Sequence, residues 1–244
     1  MLLDVHALTI AGRRTNNEDA ICARPELGLF AVADGLGGYD GGEVASALAI
    51  DAISELVRRT AGDADVTWPY AIDPQLTPME NELGVAVRLA NDRIGARRAG
   101  ALREMGSTVV ALRIAGEHAA VVHVGDSRLY RLRGGAFAQL TIDHSLAAEL
   151  AASGAAPAEN FPWRHVITRA LGTVRAEPEI QRIAVARGDA YLLCSDGLYD
   201  RLDAAAIAEL LAQPSATVAC RSLVEAAYLA GSSDNISAIV VRAV

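Results

Sequence analysis

The chain has 244 residues, of which 52% are hydrophobic and 21% charged, a balance that fits one globular domain over 1–244 and excludes both a disordered chain and a membrane bundle. Its net charge of −8 argues against sequence-independent nucleic-acid binding, which needs a basic stripe to displace phosphate counterions. It leaves room for a phosphorylated substrate if a metal reverses the local sign. Cys22, Cys194 and Cys220 form no C-x-x-C pair, so the expectation is buried free thiols in a reducing compartment. The first residues lack the basic and apolar regions of a signal peptide, and no run of about 18 apolar residues occurs. A cytoplasmic protein with no membrane contact is expected.

In chain order, residues 5–10 alternate as a strand, and the apolar run 29–33 reads as a second strand that ends at Asp34-Gly35. After the glycines, Val44, Leu48, Ala52 and Leu56 recur every four residues and predict a helix buried along that line. Residues 61–76 read as a loop in which Trp68 packs onto a helix. Thr77-Pro78-Met79-Glu80 carries the signature of a capped helix start, with Leu83, Val87, Ala90 and Ile94 as the buried face. Four strands then follow over 108–114, 118–124, 129–132 and 137–140, the last two joined by Gly134-Gly135 in a tight turn. A short helix and a Gly/Ala/Pro loop fill 144–160. Strands over 180–186 and 190–194, a helix capped by Asp203, a second helix from about Ser215 to Gly231 and a strand over 236–241 complete the chain. Strands in consecutive runs with helix pairs between them predict an α+β fold, an α-β-β-α sandwich of two antiparallel sheets flanked by helix pairs.

Aspartates recur where strands end or begin: Asp19, Asp34, Asp126, Asp196 and Asp234. Any one of them reads most simply as a turn residue. Should they converge, two carboxylates about 4 Å apart repel by about 4 kcal/mol at an effective dielectric of 20. A divalent cation removes that penalty, and all-oxygen ligands select Mg²⁺ or Mn²⁺ over Zn²⁺. The glycines of Asp34-Gly35-Leu36-Gly37-Gly38 let a main-chain carbonyl approach a metal. Neither nucleotide-binding glycine pattern is present.

The blocks GRRTNNEDA, VADGLGGYDGGEVAS, MGSTVVAL, VHVGDSRLYRL, LTIDHSL, VITRALG, LLCSDGLYD and SSDNISAIVV, in that order, resemble the metal-dependent type 2C protein serine/threonine phosphatase (PPM) family, in its bacterial form. The resemblance implies hydrolysis of phosphoserine and phosphothreonine in proteins by direct attack of a metal-bridging water, with two Mn²⁺ or Mg²⁺ ions at a core site. Asp34 would bridge both ions, with the Gly35 main-chain oxygen on the second, and Asp196 and Asp234 would hold the first. Asp126 with Asp196 would form a third, weaker site. Glu18 and Asp19 would act through water or orient the ligands, and Arg14 would bind the substrate phosphate. Residues 145–165 would form a flap subdomain, and deleting 152–159 would alter rates on protein substrates more than on aryl phosphates. The implied partners are phosphorylated Ser/Thr proteins, including a cognate Ser/Thr kinase or its targets, acted on by a monomer.

One position departs from the animal members of the family, which place a histidine two residues after the bridging aspartate; here it is Leu36. His144 is the alternative proton donor, against a purely structural role. His123 reads as core, and His6, His118 and His165 carry no signal. Two further readings compete: a pseudophosphatase that binds without cleaving, and a specialised phosphatase for one phosphorylated regulator.

Overall fold

The computed structural model describes residues 1–37, 41–62, 67–155, 161–163 and 166–244. Two antiparallel sheets lie face to face. The first is ordered β1 (Leu3–Ile10), β11 (Ile236–Ala243), β10 (Ala190–Cys194), β7 (Arg128–Arg133) and β8 (Ala136–Gln139). The second runs β2 (Asp19–Arg24), β3 (Leu29–Leu36), β5 (Val109–Ala115), β6 (His118–Val124) and β9 (Glu179–Ala184), with the two-residue β4 (Gly106–Ser107) paired to the end of β3. Helices α1 (Gly41–Gly62) and α2 (Pro78–Arg97) cover the second sheet, and α5 (Ala204–Leu211) and α6 (Ala216–Leu229) cover the first. Two short helices, α3 (Leu146–Ala152) and α4 (Asp196–Tyr199), follow strand ends.

The period of two along each strand builds three apolar layers. On β3, Leu29, Ala31 and Ala33 face α1 and α2, while Phe30 and Val32 meet Tyr191, Leu193, Ile239 and Val241 between the sheets. The alternate residues Leu192, Cys194, Ala238 and Val240 pack under α5 and α6. Burying a side chain of this size contributes about 1.5–3 kcal/mol, so the sandwich is held on both faces of both sheets. The three cysteines are buried, free thiols within these layers.

Local signals set the element boundaries. At the start of α2 the Glu80 N–H donates to Thr77 Oγ1 (3.3 Å) and the Thr77 N–H donates to Glu80 Oε2 (2.9 Å), a complete capping box. Leu83, Val87, Ala90 and Ile94 are all buried. Gly134 and Gly135 have φ of 55° and 84°, as the β7–β8 hairpin requires. Trp68 packs against the core under α1 and α2.

Two expectations are corrected. The buried line of α1 is Ala45, Ala49, Ala52, Ile53, Leu56 and Val57, with Val44 and Leu48 only partly covered. The helix is packed by both the sheet and α2, so its covered face is wider than one i, i+4 row and turned by a residue. Nor does β3 stop at Asp34. It continues to Leu36 because Gly35 and Leu36 pair with Ser107 and Gly106, which holds Asp34 inside regular strand.

Candidate metal centre

The antiparallel order brings the expected aspartates to one edge of the sandwich. Strands β3, β6 and β10 end at the edge where β2 and β11 begin. Asp34 and Asp19 face each other across the β2–β3 ladder. Asp126 follows β6, Asp196 follows β10 at the start of α4, and Asp234 precedes β11.

Backbone contacts fix these positions. The Asp34 carbonyl accepts from the Thr108 N–H (2.8 Å) and Ser107 Oγ (3.0 Å), and its N–H donates to Thr108 Oγ1 (3.1 Å). The Gly35 N–H donates to the Glu18 carbonyl (3.1 Å). A Cβ on Gly35 would lie 2.1 Å from the Gly42 carbonyl oxygen, and one on Gly197 would lie 2.0 Å from that of Asn235. Only glycine lets the starts of α1 and α4 close onto the neighbouring backbone. Gly42 in turn stands against the Glu18 carboxylate, whose Oε2 would be 2.9 Å from a Cβ there.

The carboxylates repel one another. Burial, followed by Asp19, Asp196, Asp126 and Asp234, raises the Asp34 carboxyl well above its ordinary value. Burial and then Asp126, Asp234, Asp200 and Asp19 push Asp196 up to about 8. Burial and Asp143 push Asp126 up to about 6. Asp19 also rises to about 6, through burial that hydrogen bonds from Ser237 and Ser195 partly offset. Those bonds are short, 2.6 Å from Ser237 Oγ and 2.7 Å from Ser195 Oγ to Asp19 Oδ2. Asp196 Oδ1 is buried and has no hydrogen-bond partner among the described residues. An acceptor of that kind costs about 1–3 kcal/mol when nothing fills it. The donor set at this edge is carboxylate and carbonyl oxygen, so it fits small hard divalent ions.

Arg14 lies at the mouth of the cluster, donating from Nη2 to Asp234 Oδ2 (2.8 Å) and from Nε to the Ser233 carbonyl (3.1 Å). Its side chain is 53% exposed. Glu18 is held through its backbone N–H, which donates to Asn235 Oδ1 (2.8 Å). The structure thus gathers Arg14, Glu18, Asp19, Asp34, Gly35, Asp126, Asp196 and Asp234 around one edge. Residues missed from the sequence hold them there. Ser195 and Ser237 grip Asp19. Asn235 ties the 11–18 loop to β11, donating from Nδ2 to the carbonyls of Ala11 (3.0 Å) and Asn16 (2.8 Å). Their only signal was closeness in sequence to Asp196 and Asp234.

His144 is not placed to donate a proton. It is buried, its Nδ1 accepts from the Gly125 N–H (3.1 Å), and its ring stacks on His123 with centroids 4.5 Å apart. Burial, His123 and Arg169 lower it to about 3, so it is neutral at pH 7. His123, His144 and Glu179 bring ligand atoms within 4.8 Å of one another. The two rings are 15° from parallel, so their lone pairs run side by side and do not converge. The Cys194 thiol, beside Asp196, is pushed up by burial and stays protonated. Of the expected flap, α3 is capped by Ser145, whose Oγ accepts from the Ala148 N–H. Residues 156–160 and 164–165, with His165 and half of the segment 152–159, lie outside the described residues.

Comparison with known proteins gives a consistent answer. The family model described as Protein phosphatase 2C matches residues 11–228. The serine/threonine protein phosphatase PstP of Mycobacterium tuberculosis is 36% identical over 236 residues; the match covers 95% of this chain but 43% of that protein, so this chain spans less than half of its length. The protein phosphatase PhpP of Streptococcus pneumoniae is 31% identical over 98% of this chain and 97% of its own. The crystal structure of the PstP catalytic domain with two manganese ions superposes with a TM-score of 0.83 at 35% identity, covering 98% of this chain and 97% of that one.

Proposed function

This chain belongs to the protein phosphatase 2C family, in its bacterial form, and from that premise we propose that it hydrolyses phosphoserine and phosphothreonine esters of proteins with Mn²⁺ or Mg²⁺ as cofactor. The observation that carries the reading is the buried, unpartnered Asp196 Oδ1 among carboxylates whose acidities burial and mutual repulsion weaken. Such a group is incomplete without an outside cation. Two ions would be held by Asp34, the Gly35 carbonyl, Asp196 and Asp234, and a third by Asp126 with Asp196. The chemistry that bound ions supply is acidification of water toward neutral pH and neutralisation of phosphoryl charge.

The chain's own residues do the rest. Arg14 presents a planar fork of five N–H donors, of which the contacts to Asp234 and Ser233 engage two. The remainder suit the phosphoryl oxygens of a substrate at the mouth. Asp19, gripped by Ser195 and Ser237, keeps the opposite face of the cluster rigid, and Glu18 stands beside Gly35 and Gly42 to orient it. Direct displacement without a phosphoenzyme fits the protonated, buried Cys194. Neutral His144 and apolar Leu36 leave protonation of the leaving serine or threonine to water at the open mouth. No helix among the described residues is long and apolar enough to cross a membrane. A monomer in the cytoplasm, acting on phosphorylated proteins that include a Ser/Thr kinase or its targets, completes the reading.

The test is turnover of an aryl phosphate with Mn²⁺ by the parent and by Asp34→Ala. The reading expects Mn²⁺-dependent hydrolysis that the substitution abolishes. Undiminished turnover in the variant would overturn it. Manganese binding by a parent that cleaves neither aryl phosphate nor phosphopeptide would favour the pseudophosphatase instead.

A further inference from the structure

Tyr199 closes α4, one turn after Asp196. Its hydroxyl donates to the main-chain carbonyl of Asp126 (3.0 Å). Its ring carries the guanidinium of Arg128, 3.5 Å from the centroid. Arg128 in turn is fixed by Asp143, with Nε at 2.9 and 3.1 Å from the two carboxylate oxygens and Nη2 at 2.6 Å from Oδ2. The tyrosine is therefore a strut between the helix that bears Asp196 and the loop that bears Asp126, and it lines a pocket of about 370 Å³ beside them.

We propose that Tyr199, held in place by Arg128, is a positioning residue that sets the spacing between Asp126 and Asp196 and thereby the affinity of the weaker cation site they share. The inference rests on the metal-dependent reading above. Two like charges on separate segments move apart when nothing lies between them, and a site spread in this way must be reassembled at each binding event. The tether ends on the Asp126 carbonyl, not on its carboxylate, so both carboxylate oxygens stay available to a cation. The clamp from Asp143 through Arg128 leaves the phenol ring little freedom, so its hydroxyl is placed before any ion arrives.

Tyr199→Phe keeps the ring under Arg128 and removes only the tether. Mn²⁺ binding to parent and variant is followed by calorimetry, turnover of an aryl phosphate is measured against Mn²⁺ concentration, and thermal unfolding is recorded in chelator. The weakest site is expected to lose about fivefold in affinity, the scale of one hydrogen bond, with the tighter sites, saturating turnover and unfolding temperature unchanged. Arg128→Lys, which lacks the planar fork, shifts the same site in the same direction. An unchanged weak site in Tyr199→Phe, or an unfolding temperature that falls together with activity, overturns the proposal. A parent that binds only two ions also overturns it while leaving the phosphatase reading intact. A parent that binds none and hydrolyses nothing removes both.

Discussion

Strand β10 carries an aspartate at each end, and the protein treats the two in opposite ways. Asp189, 1% exposed, accepts from Arg133 Nε and Nη2 (both 2.6 Å), from the Tyr191 hydroxyl (2.8 Å) and from the Ala186 N–H (2.8 Å). Burial works against its charge, yet Arg133 and these hydrogen bonds outweigh it and hold the carboxyl below its ordinary value. Seven residues further on, Asp196 has no ion pair among the described residues, an unpartnered oxygen and a carboxyl pushed up to about 8. One end of the strand is closed within the chain; the other is left for a ligand from outside. Buried charge by itself says nothing about function. Buried charge that the chain declines to satisfy does.

Asp196→Asn tests the difference between the two ends of β10 most sharply. With Mn²⁺ and an aryl phosphate its turnover should fall by more than about a hundredfold, the upper end of what perturbing an outer metal partner costs. Turnover near the parent value would make Asp196 another structural aspartate. At the opposite end, Asp189→Asn strands the Arg133 cation and should cost about 2–4 kcal/mol in urea unfolding, with turnover per folded molecule unchanged. A loss of activity at full stability would blur the two ends.

His144 offers a subtler check, because it too is buried without charge. The unfolded chain binds a proton near the ordinary histidine value of 6.5, whereas the folded one does so only near 3. The unfolded state therefore gains protons first, and stability is lost as pH falls from about 6.5 toward 3. In His144→Gln the drop in stability between pH 6.5 and 5 should shrink by about 1–2 kcal/mol; an identical pH profile would mean that the ring is charged in the fold. The smallest effect serves as a baseline: Thr77→Ala, far in sequence from either end of β10, should cost about 1 kcal/mol equally with and without Mn²⁺. A metal-dependent cost there would show that ordinary stability and cation-linked stability are not separable.

Much of this was legible where neighbours in sequence decide the outcome. The alternation of Leu29 to Ala33 marks a strand, and Thr77 with Glu80 marks a helix start, because the contacts involved span a few residues. The aspartates were legible as a set, since each borders an apolar run. What escaped depends on distant partners. The extension of β3 to Leu36 needs Gly106 and Ser107 from 70 residues away to complete its ladder. The grip on Asp19 comes from Ser195 at the start of α4 and Ser237 on β11, and the pairing of Arg14 with Asp234 joins the two ends of the chain. Asp189 and Asp196 both border the apolar run of β10; that Arg133, Tyr191 and the Ala186 N–H satisfy the first was not legible in the sequence.

The claim that the rim carboxylates require an external cation is tested most directly by urea unfolding of the parent and of Asp34→Asn, each in chelator and in Mn²⁺. The account predicts that the variant, relieved of one repelling charge, is the more stable of the two in chelator, and that Mn²⁺ strongly stabilises the parent while adding little to the variant. A variant that is less stable without metal and gains as much from Mn²⁺ as the parent would contradict it.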